Sequence, residues 1–425
     1  MSREPQTPLR RFAHRYATFA AARIALIVGR WFVLVQSARH LPTSEFAVLA
    51  AALSIAEILR ALSDVGADGY VYSRLGSSGQ RLRATVSAVL AFRGLSAVTV
   101  AVVGGSIHAA VTGRLDVLPV FGIIVAGMGQ ATGVALLQKQ ARFGALALLV
   151  AITLVASATV DLATLLLPAT LARMSWLMIA PDCIAAITAL LLAGPLLAVP
   201  MRRIRAQRRS LVSSLRPVVG KLLPGGIVSV LVIAYSRLDV MIVLPLAGVT
   251  AQAEYSAGFR LMEPAFLFFA IASLALLAEL GSGRTADTRR LAQRLLDIPS
   301  ALIGFSLALA AVLAATLTWA VSLHLFGLSE AASELAALFA AALPFRIGNS
   351  MISALLLRLG RFDGVMHAAI LNAFITFSAA TLLTLWIGAP GAAVGALGGE
   401  IVNAIYQRRL LRLQLIQHSG TASSI

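Results

Sequence analysis

The chain has 425 residues, 59% of them hydrophobic and 12% charged, with a formal net charge of +17 and a mean hydropathy of +0.88. A water-facing domain carries about 25% charged residues, so a soluble protein and a disordered chain are excluded. With Cys183 as the single cysteine, so is a disulfide-stapled secreted module, which leaves a polytopic membrane protein.

At about 20 apolar residues per crossing, this length holds roughly a dozen helices, and twelve apolar stretches are present. In chain order they are 16–36, 46–66, 84–106, 115–137, 144–168, 174–199, 218–247, 251–280, 298–326, 331–357, 364–387 and 390–407. Several exceed the minimum, so tilt or kinks are expected, with Pro195, Pro224, Pro245, Pro264 and Pro344 as kink points. Arg23 and Arg30 interrupt the first stretch and no convincing small-residue cleavage site follows it, so it is expected to be a retained helix, not a signal peptide.

Basic residues sort to alternate connections. One side holds Arg3 to Arg15, Arg74 to Arg83, Lys139 and Arg142, the block Arg202 to Lys221, Arg284 to Arg294, Arg358 and Arg361, and Arg408 to Arg412. The other side holds Arg39, Arg114 and Arg173. This bias predicts both termini in the cytoplasm. It assigns the positive charge to a membrane surface, and no nucleic acid is expected as a partner.

The basic connection 200–217, containing RRIRAQRRS, divides the chain. A tail 1–15 precedes an N-lobe over 16–199, and a C-lobe over 218–407 precedes a tail 408–425. Six helices per lobe make both lobes enter from the same side, which implies a parallel repeat with a substrate cleft near the midplane. Glu45-Phe46 and Glu254-Tyr255, opening the second and eighth helices, echo one another. The short outer connections disfavour a membrane polymerase or glycosyltransferase, and no paired acids or nucleotide motif point to an enzyme.

Seven arginines fall inside the expected spans, with six deep acids, so the core is almost neutral. Each charge at the bilayer centre costs about 2.5–3.5 kcal/mol on insertion scales, so most must meet a partner or a wet cavity. Arg23, near a helix end, suits snorkelling. Glu57, Arg60 and Asp64 share one helical face, and Arg260 and Glu263 stand three apart. Arg237 and Asp239, two apart, cannot pair within one helix. These sites are readable as ion pairs or as part of a coupling device. So are Asp161, Asp182 and Asp239, each able to hold a proton, to hold Na⁺ or to neutralise an arginine. Arg30, Arg93 and Arg346 have no opposite charge three or four residues away, and with Arg260 they form the candidate cationic cleft. A guanidinium fork suits a diphosphate because it binds oxygen pairs and stays charged when desolvated. The six histidines are scattered, so no metal site or cofactor is expected.

ARHLPTSEFAVLA at 38–50 resembles the "A-R-x-L-G-x-x-E-Y-G-x-x-A" signature of Wzx-type polysaccharide flippases, members of the MOP exporter superfamily to which MATE transporters belong. LSDVGADGYVYSRL at 62–75, YSRLDVMIVLPLAGVTAQAEYSAGFRLME at 235–263, Asn372 and GAPGAAVGALGGE at 388–400 resemble later family motifs in order. Pro42, Ala47 and Ala253 stand where the family favours glycine. The resemblance implies two six-helix lobes related by pseudo-two-fold symmetry and an alternating-access mechanism. It implies a substrate of undecaprenyl-pyrophosphate-linked oligosaccharide, moved to the outer leaflet of a bacterial inner membrane for surface polysaccharide synthesis. Membrane lipids and polysaccharide polymerase or assembly proteins are the implied partners. The rival is a proton- or Na⁺-coupled drug or cation exporter of the same fold; mid-span arginines and 7% aromatics favour the flippase.

Overall fold

A long apolar run in a bilayer satisfies its backbone only as a helix or in a closed barrel, and this chain takes the first solution. The computed structural model describes residues 30–64, 80–139, 142–206, 227, 230–231, 233, 237, 239–266, 292–324, 326, 328–359 and 361–422, and every regular element among them is helical. The expected first helix is described from residue 30 as α1 (30–40), so Arg23 lies outside the described residues. It is followed by α2 (Thr43–Asp64), α3 (Gln80–Thr112), a short 3-10 turn at Leu118–Phe121, α4 (Gly122–Lys139), α5 (Phe143–Leu166) and α6 (Leu171–Ala206).

The run Asp239–Phe266 is helical throughout, yet it is two helices. In a straight helix residues 16 apart are separated by about 24 Å, whereas the Tyr255 hydroxyl donates to Asp239 Oδ2 at 2.6 Å. The chain reverses at Gly248, whose φ of +88° is readily accessible to glycine. The hairpin therefore has arms α7 (ending at 247) and α8 (249–266), matching the break expected between the seventh and eighth spans. Then come α9 (Ser300–His324), α10 (Glu330–Arg358), α11 (Phe362–Ile387) and α12 (Ala389–Ala422). Ser329 caps α10 by accepting from the Ala332 amide at 3.2 Å, which satisfies one orphan donor of its first turn.

Among the described residues, eight helical stretches are long and apolar enough to cross a membrane. Several helices overrun their expected apolar spans: α3, α6 and α12 continue into polar sequence, and α6 takes in the start of the basic connection. Hydropathy marks where a helix leaves the apolar layer, not where its hydrogen bonding ends. The exposed face of α9, with Phe305, Val312 and Leu317, suits lipid.

The chain divides into two compact units, Met1–Ile233 and Ala234–Ile425. In the first, α4, α5 and α6 bury Val134, Leu137, Leu149, Ala185 and Ala189. In the second, Val240, Val243, Tyr255, Phe259, Leu335 and Phe339 form the core, with Phe339 meeting Tyr255 and Phe259 edge-on at 5.1 and 5.2 Å between centroids. Small residues bring helices close, as expected for GALGG: a Cβ on Gly395 of α12 would stand 2.4 Å from the Ala380 backbone nitrogen of α11. Gly395→Leu should therefore destabilise the detergent-solubilised protein by at least ~1–3 kcal/mol, the range for overpacking. Gly398→Ala, where nothing lies within 4 Å of the new carbon, should leave the thermal transition nearly unchanged.

Candidate functional site

In the first unit, α1 brings Arg30 to Asp182 of α6, with Nε 3.2 Å from Oδ2. Asp182 also interacts electrostatically with Arg60 and Glu57 of α2. Arg60 packs over α4, where a Cβ on Gly127 would meet its Cδ at 3.0 Å. Arg93 of α3 pairs with Asp64 of α2 at 2.9 Å, and its Nε points to Met128 Sδ at 2.9 Å. The face shared by Glu57, Arg60 and Asp64 is present on α2, but Asp64 reaches across to another helix. Asp161 stands elsewhere, half-buried on α5, and its shielded Oδ1 has no hydrogen-bond partner among the described residues.

In the second unit, Glu263 is gripped from both sides. Arg237 lies 2.5 Å from Oε1 and Arg260 2.8 Å from Oε2. Both guanidiniums lie near the Phe259 ring, at 4.7 and 5.7 Å from its centroid, where the ring quadrupole adds attraction. The three-residue spacing of Arg260 and Glu263 signalled that pair; the hairpin adds Arg237. Asp239, two residues from Arg237, turns instead to the Tyr255 hydroxyl and the Val240 amide, at 2.6 and 2.9 Å.

Arg346 of α10 binds Glu400 of α12, Nε to Oε1, at 2.8 Å and lies 4.2 Å from the Phe266 ring centroid. Asn349, one turn along α10, donates to Glu400 Oε2 at 2.7 Å and to its carbonyl oxygen at 3.0 Å. The arginines without a charge partner on their own helix thus each have one on another. Sequence reasoning left Tyr255, Asn349 and Glu400 out of the candidate site. The signal for Glu400 and Asn349 was their polarity inside apolar helices; nothing in the sequence assigned their partners.

The pairs differ in exposure. The Arg93 and Arg260 side chains are 2% exposed. Arg30 and Arg346 are 18% and 19% exposed, while their acids, Asp182 and Glu400, are 2% and 3% exposed. In these two pairs the acid is the more covered partner. Among the described residues, no group of three or more metal-ligating side chains gathers.

Neither a family model nor a curated protein matches the sequence. Solved structures do match in fold. A multidrug resistance MATE family transporter of the MOP superfamily aligns in its inward-facing conformation with a TM-score of 0.63 and 13% identity, over 95% of this chain and 99% of that one. Its outward-facing conformation gives 0.63 and 14%, over 98% of each chain. The lipid II flippase MurJ in an inward closed conformation gives 0.63 and 13%, over 94% of this chain and 89% of that one. At this identity the likeness is one of fold: the chain is an all-α polytopic membrane protein with the architecture shared by MATE transporters and MurJ.

Arg93, nearly inaccessible and engaged with Asp64, acts here as a cross-brace between α2 and α3. Arg93→Met should lower unfolding stability in detergent by about 3–5 kcal/mol, the scale for removing one member of a buried ion pair. Adding Asp64→Leu should recover part of that loss, a coupling read from the double-mutant cycle.

Proposed function

We propose that the protein is a flippase that moves undecaprenyl-pyrophosphate-linked oligosaccharide from the cytoplasmic to the outer leaflet of a bacterial inner membrane by alternating access, for surface polysaccharide synthesis. The observation that carries this reading is the polarity of the Arg30–Asp182 and Arg346–Glu400 pairs. In each the arginine side chain is more exposed than its acid, the order an anionic headgroup requires. A cationic drug would need the opposite arrangement, with the carboxylate outward. The fold shared with MurJ makes a lipid-linked substrate compatible with the architecture, and the motif resemblance from 38–50 to 388–400 agrees with it. In this reading both termini lie in the cytoplasm, as the bias of the basic connections leads one to expect.

Arg30 in one unit and Arg346 in the other are, in this reading, each a place where a phosphate group is taken up, replacing part of its hydration. Arg93 and Arg260, both 2% exposed at the side chain, hold the helices that position them. Asp161, Asp239 and the Glu57–Arg60 pair take no direct part in headgroup binding. Polysaccharide polymerase and assembly proteins would receive the product on the outer side.

Proteoliposomes carrying a fluorescent undecaprenyl-pyrophosphate oligosaccharide, with ethidium transport followed on the same preparation, test this reading. Glycolipid movement without ethidium movement is the expected result, and Arg30→Gln and Arg346→Gln should each slow it about ten- to a hundred-fold, the equivalent of one lost charge-assisted contact. Membrane accumulation of both variants should stay near normal. Ethidium movement alone would make the protein a cation exporter.

A further inference from the structure

Most buried acids of the two units have more than one cation in contact, in electrostatic reach or on the same helix face. Glu263 has two arginines in contact. Asp182 interacts electrostatically with both Arg30 and Arg60. Asp239 accepts from a hydroxyl and a backbone amide and interacts with Arg346 and Arg237. Asp64 pairs with Arg93 and shares a helix face with Arg60. Glu400 is different: among the described residues its one cation is Arg346, whose side chain is 19% exposed. Its other side-chain partner is a neutral amide, Asn349.

Among the described residues, the surroundings of Glu400 hold no substitute cation. Its helix, α12, packs against α10 and α11. From α10 it meets Arg346 and Asn349. The titratable residues of α11 are Asp363 and His367, both in its first two turns, whereas the Glu400 level of α12 faces Asn372 and Thr376, which flank Gly399. Arg346 is itself shared, because it also interacts electrostatically with Asp239 of the hairpin. Along α12 itself, the basic residues begin two turns on, at Arg408.

A file of polar side chains leads away from Glu400 along the α10–α12 contact. Gln407 donates to Asn403 at 3.0 Å and accepts from Ser353 at 3.0 Å, and Arg361 donates to Gln414. Asn349, Asn403, Gln407 and Gln414 are all buried, and Arg361 is exposed. From 400 to 414 the helix rises about 21 Å, and these polar side chains are spaced along it from Glu400 toward its exposed end. Apolar residues would pack these two helices equally well without the desolvation that buried amides require.

We propose that Glu400 is the carboxylate protonated during the transport cycle, and that the α10–α12 file is its route to the aqueous surface. The inference rests on the headgroup reading in one respect, that Arg346 is the cation a diphosphate takes. Arg346 in contact with phosphate no longer compensates Glu400, and a buried carboxylate left beside a neutral amide takes up a proton. That proton moves from water at the Arg361–Gln414 end onto a Glu400 oxygen. It leaves by the same file when the diphosphate departs and Arg346 returns. Substrate binding and proton uptake are thereby one exchange at one pair.

The test adds inorganic pyrophosphate to the full chain in weakly buffered detergent and follows binding by calorimetry and proton uptake by a pH dye. Binding with proton uptake is expected, together with a new carboxylic acid carbonyl band in infrared difference spectra. Glu400→Gln should abolish both proton signals while pyrophosphate still binds, and Asp182→Asn should retain them. Gln407→Leu, which keeps the acid and interrupts the file, should slow uptake at least ten-fold without reducing its extent; it also serves if the Glu400 variant does not fold. Proton uptake that persists in Glu400→Gln, or is as fast in Gln407→Leu as in the parent, overturns the proposal. Binding by the parent without uptake also overturns it and leaves the headgroup reading standing. Absence of binding by the parent removes both.

Discussion

Charge placed inside an apolar bundle dominates this structure. Each arginine at mid-span raises the cost of insertion by about 2.5–3.5 kcal/mol, and the same holds for an isolated acid. The chain answers with pairs that tie different helices together: α1 to α6, α2 to α3, α7 to α8 and α10 to α12. Because lipid tails supply no hydrophobic drive between helices, such pairs and close packing of small residues fix which helices are neighbours. The remaining packing follows from them. Phe259 and Phe266 lie where guanidiniums need a face, and Gly127 is bare where Arg60 crosses α4.

An ion pair can hold a bundle together or wait for a ligand, and its exposure separates these uses. Where the arginine is covered, as in Arg93–Asp64 with Arg93 2% exposed, an incoming anion cannot reach the guanidinium without moving a helix. A pair covered only at the acid can exchange its acid for another anion, because both anions approach the same guanidinium. Arg30–Asp182 and Arg346–Glu400 have that form, one in each unit. Fold likeness to MATE transporters and to MurJ is neutral between cation and anion, so the distinction falls on these two side-chain arrangements.

Much of the architecture was legible because hydropathy, glycine and charge spacing are local signals. The reversal at Gly248 and the Arg260–Glu263 contact lie within one or two helical turns of the residues that announce them. The partners of Arg30, Arg93 and Arg346 were not legible. They stand 152, 29 and 54 residues away along the chain, and a helix sequence does not state which neighbour its polar face will meet. Arg237 shows the same limit at shorter range. Its near acid, Asp239, points elsewhere, and its partner Glu263 arrives only when the hairpin closes.

Glu400 shows why a near-neutral core is compatible with an anionic substrate. Counted as totals, the acids cancel the arginines and leave no attraction for a diphosphate. Counted by position they do not cancel everywhere, because Asp182 and Glu400 are more covered than the arginines they pair with. Such an acid keeps its arginine tolerable in the membrane before substrate arrives, and it must lose its own charge, or find another cation, when substrate takes the arginine. Where a second arginine is in reach, as for Asp182, the acid can stay ionised. Where none stands among the described residues, as for Glu400, the proposed exchange calls for a proton. Neutrality of the core is then a condition of the resting bundle, and under the proposed function it is broken locally, one pair at a time.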